Sequence, residues 1–183
     1  MPEDVGLLSV APAGMLVFGG IVAAIVAAIV VFAAVPAAYA ALHATQAAPA
    51  NCTRDQLCVR SNGIDGAAGT VHGAWVFTNV SATSCTLNGY PDLQLYGRRG
   101  RPITTTVMPD LPPTPTDVTL APGGSGTFFT SYSDVQTGHQ CATSAVIQIT
   151  PPNAVDSLFI PAQLQACNGI VHVSAVRAGV HHA

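Results

Sequence analysis

The sequence predicts an all-β domain, an Ig-like antiparallel β-sandwich, behind one N-terminal transmembrane helix. Three observations carry this. Charged side chains make up 8% of the 183 residues, against ~25% in an ordinary soluble domain. The hydrophobic excess is gathered in one uncharged run near the start. From Cys52 onward the chain breaks into short β-branched and aromatic stretches separated by Gly, Pro, Asn and Asp, the pattern of strands and turns.

A short tail over 1–14 leads into the uncharged run. Its densest part, "MLVFGGIVAAIVAAIVVFAAV" from Met15 to Val35, spans ~30 Å as a helix, one hydrocarbon core. Pro36 ends that helix, so the segment 15–36 reads as a membrane anchor with the membrane as its partner. A cleaved signal peptide is the competing reading. "AYA" at 38–40 has the small-x-small form of a cleavage site, which would release the chain near Ala40. Against it, the apolar run exceeds the usual 7–15 residues and no basic side chain precedes it. Gly20, Ala24 and Ala28 recur at every fourth position. Such a small-residue stripe permits close packing against another membrane protein, although alanine is common throughout the segment.

Residues 37–50 form an Ala-rich tether. The sandwich follows over 51–177, with a short tail over 178–183. Its stretches are "QLCVRS", "VHGAWVFTNV", "DLQLYG", "RPITTTVM", "DVTLAPGGSGTFFTSY" on both sides of a Gly-rich turn, "SAVIQITPP", "DSLFIP" and "GIVHVSAV". Period-two alternation puts Leu93 with Leu95, Ile147 with Ile149, and Val171 with Val173 on inward faces. The same alternation sends His172 and Ser174 outward. Trp75, mid-strand, reads as core. The loop "MPDLPPTPTD", Met108 to Asp117, has too many prolines for a central strand.

The cysteines are Cys52, Cys58, Cys85, Cys141 and Cys167, and none is in C-x-x-C spacing. That spacing offers neither a zinc ribbon nor a dithiol redox motif. Beyond an exporting segment, paired cysteines form disulfides. Cys52 opens the first strand and Cys85 lies just past the second, so antiparallel pairing of those strands joins them. Cys141 and Cys167 each precede a strand. A meander with one strand between brings those starts to one end of a sheet. Cys58, between Leu57 and Val59, is then the free thiol, read as buried and inert, with a reactive or intermolecular thiol as the alternative.

Other chemistry is thin. The ectodomain has no glutamate, and aspartates such as Asp65 in "IDG" and Asp92 in "YPDL" read as turn formers. "GGSG" is followed by Thr127, where a nucleophile elbow needs glycine. The expectation is no enzyme, no catalytic residue and no cofactor. His72 and His172 fall on strands, His139 precedes Cys141, and His181 and His182 fall in the tail. No metal site is predicted from them. With no lysine and six arginines, the chain lacks the basic face that nucleic acid requires. Half of those arginines, Arg98, Arg99 and Arg101, stand in "GRRGR". That segment is either a solvated turn or a contact for phosphate headgroups or an anionic envelope polymer.

"DGAAGTVHGAWVFTNVSATSCTLNGYPDLQLY", then "VTLAPGGSG", then the "C…ITPP…C" tail resemble the actinobacterial domain of unknown function 4232 family. The resemblance runs from about Cys52 to Val176. It implies an exported or membrane-anchored domain with Cys52, Cys85, Cys141 and Cys167 as its four cysteines, and Cys58 departs from that pattern. It implies no activity. The expectation is a non-enzymatic, membrane-tethered, extracytoplasmic binding or accessory module in the cell envelope. A metal-binding or redox envelope protein is the alternative.

Overall fold

The computed structural model describes residues 48–138 and 141–183. The predicted helix over 15–36, its stripe Gly20, Ala24 and Ala28, and His139 lie outside them. Among the described residues no helix is long and apolar enough to cross a membrane. Eleven strands appear there: β1 (Leu57–Ala67), β2 (Thr70–Asn79), β3 (Cys85–Leu87), β4 (Asp92–Tyr96), β5 (Thr106–Pro109), β6 (Val118–Leu120), β7 (Ser125–Ser133), β8 (Val146–Thr150), β9 (Leu158–Pro161), β10 (Ile170–Val173) and β11 (Arg177–Ala178). The large sheet has the order β1-β2-β7-β10-β5, with β11 also paired to β7. A three-stranded sheet has the order β4-β8-β9, and β3 pairs with β6.

The three sheets close on one core, as in a sandwich. Trp75, Phe77 and Phe128 of the large sheet pack with Leu93, Leu95, Ile147 and Ile149 of the three-stranded sheet, and with Leu87, Val118 and Leu120 of the β3–β6 pair. The Phe77 and Phe128 rings stack with centroids 5.2 Å apart. Trp75 is fully buried, and its indole N–H donates to Thr130 Oγ1 at 2.9 Å. Gly73 makes room for that bond: a Cβ there would stand 2.9 Å from Thr130 Oγ1 and 3.1 Å from the indole nitrogen. Burial also holds the Tyr132 phenol on β7 above its usual range, so it stays neutral in the core.

Four expectations are corrected. The sheet is not wholly antiparallel, since β5 runs parallel to β10. β5 ends in Pro109 at the sheet edge, where a residue without an N–H is tolerated. Asp65 lies inside β1 opposite His72, not in a turn. The hairpin turn comes later, at Ala68 (φ 53°) and Gly69 (φ 83°). Ser174 is buried, because its hydroxyl accepts from the Phe129 N–H at 2.9 Å and donates to the Ala175 carbonyl. The tail over 178–183 does not stand apart from the sandwich. The Thr127 hydroxyl donates to the Gly179 carbonyl at 2.7 Å and accepts from the His181 N–H at 3.1 Å. The Asn62 amide donates to the His181 carbonyl at 2.6 Å. The tail thus crosses the outer face of the large sheet from β7 to β1. Ala74, Val76 and Thr127 occupy outward positions of that sheet and are buried.

Candidate binding surface

The registers define two ends. Leu57, Asn79 and Ser125 lie at one end of the large sheet, and Ala67, Thr70 and Ser133 at the other. The described chain enters at the first. The Cys52 N–H donates to the Thr86 carbonyl at 3.0 Å, and residues 51–54 border a small 160 Å³ pocket with 153–156. The opposite end receives the chain leaving β4. The Ala145 N–H donates to the Tyr96 carbonyl, and the Cys167 N–H donates to the Ser133 carbonyl.

One disulfide staples each end. Cys52–Cys85 and Cys141–Cys167 are the pairs, with sequence separations of 33 and 26. The expected pairing holds, but two of the reasons for it do not. Cys52 does not open β1 but runs beside β3, which Cys85 opens, so this bridge is not set by the β1–β2 pairing. β8 and β10, which follow Cys141 and Cys167, belong to different sheets, so this bridge ties two layers rather than two strands of a meander.

Cys58 is exposed, which corrects the expectation of burial. Leu57 and Val59 on either side are core residues, and in a strand two inward neighbours force the residue between them outward. Its row on the outer face continues through Thr78 to Ser125. Maleimide added to the native protein should therefore label one thiol per chain, at Cys58, before any denaturant is present. A thiol that reacts only after unfolding would contradict this placement.

Among the described residues the histidines do not converge on one site. His72 and His172 share one cross-strand row, with Ser131 of β7 between them. His172 Nδ1 is 3.4 Å from an Asp110 carboxylate oxygen. His181 tilts against Phe129, and Arg177 lies over the same ring at 5.8 Å. Among the described residues, no group of three His, Cys, Asp or Glu side chains could hold a metal ion.

Arg98, Arg99 and Arg101 stand together at the far end, all exposed. The turn is closed by the Gly97 N–H on the Arg101 carbonyl at 2.8 Å and the Gly100 N–H on the Gly97 carbonyl at 3.2 Å. Arg99 has φ 70°, a left-handed conformation in which glycine or asparagine is the ordinary choice. Arg101 also lines an open cleft of 710 Å³, with Thr104, Asn168 and Gly169 among its other walls. A Cβ at Gly169 would meet the Thr104 carbonyl oxygen at 2.9 Å, so glycine keeps that wall low.

The described domain is all-β and sandwich-like, stapled by a disulfide at each end, with an arginine turn at the end away from Cys52. Residues 52–178 match the model of the family described as Domain of unknown function (DUF4232), and the chain belongs to that family. No curated protein matches it, and no solved structure does.

Proposed function

We propose that this chain is a membrane-tethered module whose Ig-like sandwich domain stands outside the cytoplasmic membrane and holds an anionic envelope polymer through its far end. The reading is non-enzymatic. The carrying observation is the placement of Arg98, Arg99 and Arg101: three exposed side chains on one hydrogen-bonded turn, at the end opposite Cys52. In a chain with a net charge of −3, concentrating half of the basic residues there favours an anionic ligand. The uncharged run from Met15 to Val35 supports the tether, and the two disulfides support an oxidising compartment.

Each exposed arginine contributes about 1 kcal/mol toward an anionic surface, and salt screens the contribution beyond ~8 Å. Arg98→Gln, Arg99→Gln and Arg101→Gln combined should weaken binding of the purified chain to a phosphate-bearing polymer by about 3 kcal/mol, or roughly 100-fold, at low ionic strength. Stability should change by less than ~0.5 kcal/mol, as for most surface substitutions. Equal retention of wild type and variant on the immobilised polymer would refute the reading.

A further inference from the structure

The three-stranded sheet turns its other face to solvent. Residues between the core positions Leu93, Leu95, Ile147 and Ile149 point away from the core, so Gln94, Gln148 and Phe159 form one outward cross-strand row, and Tyr96, Val146 and Pro161 form the next. Phe159 is 61% exposed, an unusual position for a phenylalanine on a short edge strand. Its ring tilts toward Tyr96, with centroids 6.3 Å apart and planes at 52°. Val146 and Pro161 adjoin the rings in the row of Tyr96, and the remaining groups beside them are amides and hydroxyls. Tyr96 Oη donates to Gln148 Oε1 at 2.7 Å, Gln148 Nε2 donates to Ser157 Oγ at 2.8 Å, and Ser157 Oγ lies 2.8 Å from Thr150 Oγ1. Tyr96 and Ser157 thus fix the Gln148 amide in orientation while leaving it one further N–H and one lone pair to offer.

Two aromatic rings at an angle, with an oriented amide and hydroxyls between them, have the chemistry of a sugar site. The electron-rich ring face attracts the C–H face of a pyranose, and fixed donors and acceptors read its hydroxyls. An apolar protein partner would not use the polar row. A bare anion would not use the rings. The arginine turn begins two residues beyond Tyr96, so the platform and the cationic end are continuous along the chain. We propose that the outer face of β4-β8-β9 is a glycan-binding platform, with Phe159 and Tyr96 stacking on a sugar ring and Gln148 and Ser157 bonding its hydroxyls. Its ligand is a polysaccharide bearing phosphate groups, whose charges reach Arg98, Arg99 and Arg101. This rests on the reading above for the charged part of the ligand, and the sugar-reading face is new to it.

The test uses the full chain with two probes of similar charge: a phosphodiester-linked polysaccharide and inorganic polyphosphate, which has no sugar. Phe159→Ala should weaken polysaccharide binding about tenfold, the scale of one aromatic stacking contact, and leave polyphosphate binding unchanged. Tyr96→Phe keeps both rings and releases Gln148, so it should produce a smaller loss on the polysaccharide alone. The triple arginine variant should lose affinity for both probes. If Phe159→Ala and Tyr96→Phe bind the polysaccharide like wild type while the arginine variant does not, the platform is wrong and the arginine reading stands. If Phe159→Ala weakens both probes equally, the face does not read sugar and the platform is wrong. If the arginine variant binds both probes like wild type, the charged reading falls, and Phe159→Ala still decides the platform. If wild type binds neither probe, both fall.

Discussion

Trp75→Ala should leave the domain largely unfolded at room temperature. The indole is fully buried between the sheets. Its removal deletes the largest side chain of the core and leaves a cavity beside Phe77 and Phe128. Truncations of this kind cost about 3–5 kcal/mol. A second loss adds to this: Thr130, also buried, gives up the indole N–H that its hydroxyl accepts at 2.9 Å, and a buried polar group left unmade costs about 1–3 kcal/mol. The sum is comparable to the whole ~5–15 kcal/mol by which domains are stable. Trp75→Phe separates the two contributions, because it keeps most of the packing and removes only the donor. Urea titration followed by circular dichroism should show a cooperative midpoint for Trp75→Phe, lowered relative to wild type. Trp75→Ala should show no folded baseline. A near-native midpoint for Trp75→Ala would mean that the core closes over the site.

The core strands were legible in the sequence because their alternation is strong. The pairs Leu93 with Leu95, Ile147 with Ile149, and Val171 with Val173 each present two inward residues, and a one-residue slip would turn both to solvent. β3 and β11 were not legible. "CTL" and "RA" are too short to show a period, and only their partners, β6 and β7, make them strands. β1 runs on through "NGIDGA" although Asn-Gly and Asp-Gly mark turns. Pairing with β2 overrides that local signal, and the mismatch is absorbed by a register shift between Ser61 and Ile64.

For the candidate surface, the arginine cluster was visible as composition, but its place at the end away from Cys52 needed the topology. Of the outward row, Gln148 follows from the alternation of Ile147 and Ile149, but Phe159 could not be seen. "LFIP" is apolar throughout, and nothing in it separates Phe159, facing solvent, from Ile160, facing the core. Cys58 shows the opposite effect: its apolar neighbours suggest burial, whereas the strand period sends the residue between them outward.

Removing the entry-end bridge should be the most damaging change outside the aromatic core. Cys52 and Cys85 close a loop with a sequence separation of 33, and chain entropy alone makes that closure worth about 3–4 kcal/mol. Cys141–Cys167, with a separation of 26, is worth nearly as much by the same account, so loop length does not decide between them. Burial does. Cys52 and Cys85 are each 1% exposed and belong to the core cluster, whereas Cys141 and Cys167 are only part-buried. Cys52→Ala with Cys85→Ala therefore loses the constraint and also two packed sulfur atoms. It additionally frees the first described residues from β3, where the Thr86 N–H donates to the Ala50 carbonyl at 2.9 Å. The double variant should unfold at a clearly lower urea concentration than Cys141→Ala with Cys167→Ala. Mild reductant should open Cys141–Cys167 first, since reduction requires a thiolate to reach the sulfur. Peptide mapping after graded reduction reads the order, and simultaneous opening of both bridges would contradict it. The same mapping, on protein taken from intact cells with thiols blocked at lysis, tests the compartment. Both bridges should be complete in a domain held outside the cytoplasm. Four free thiols at Cys52, Cys85, Cys141 and Cys167 would place it inside, where disulfides are rarely maintained, and would remove the reason for looking to the envelope for its ligand.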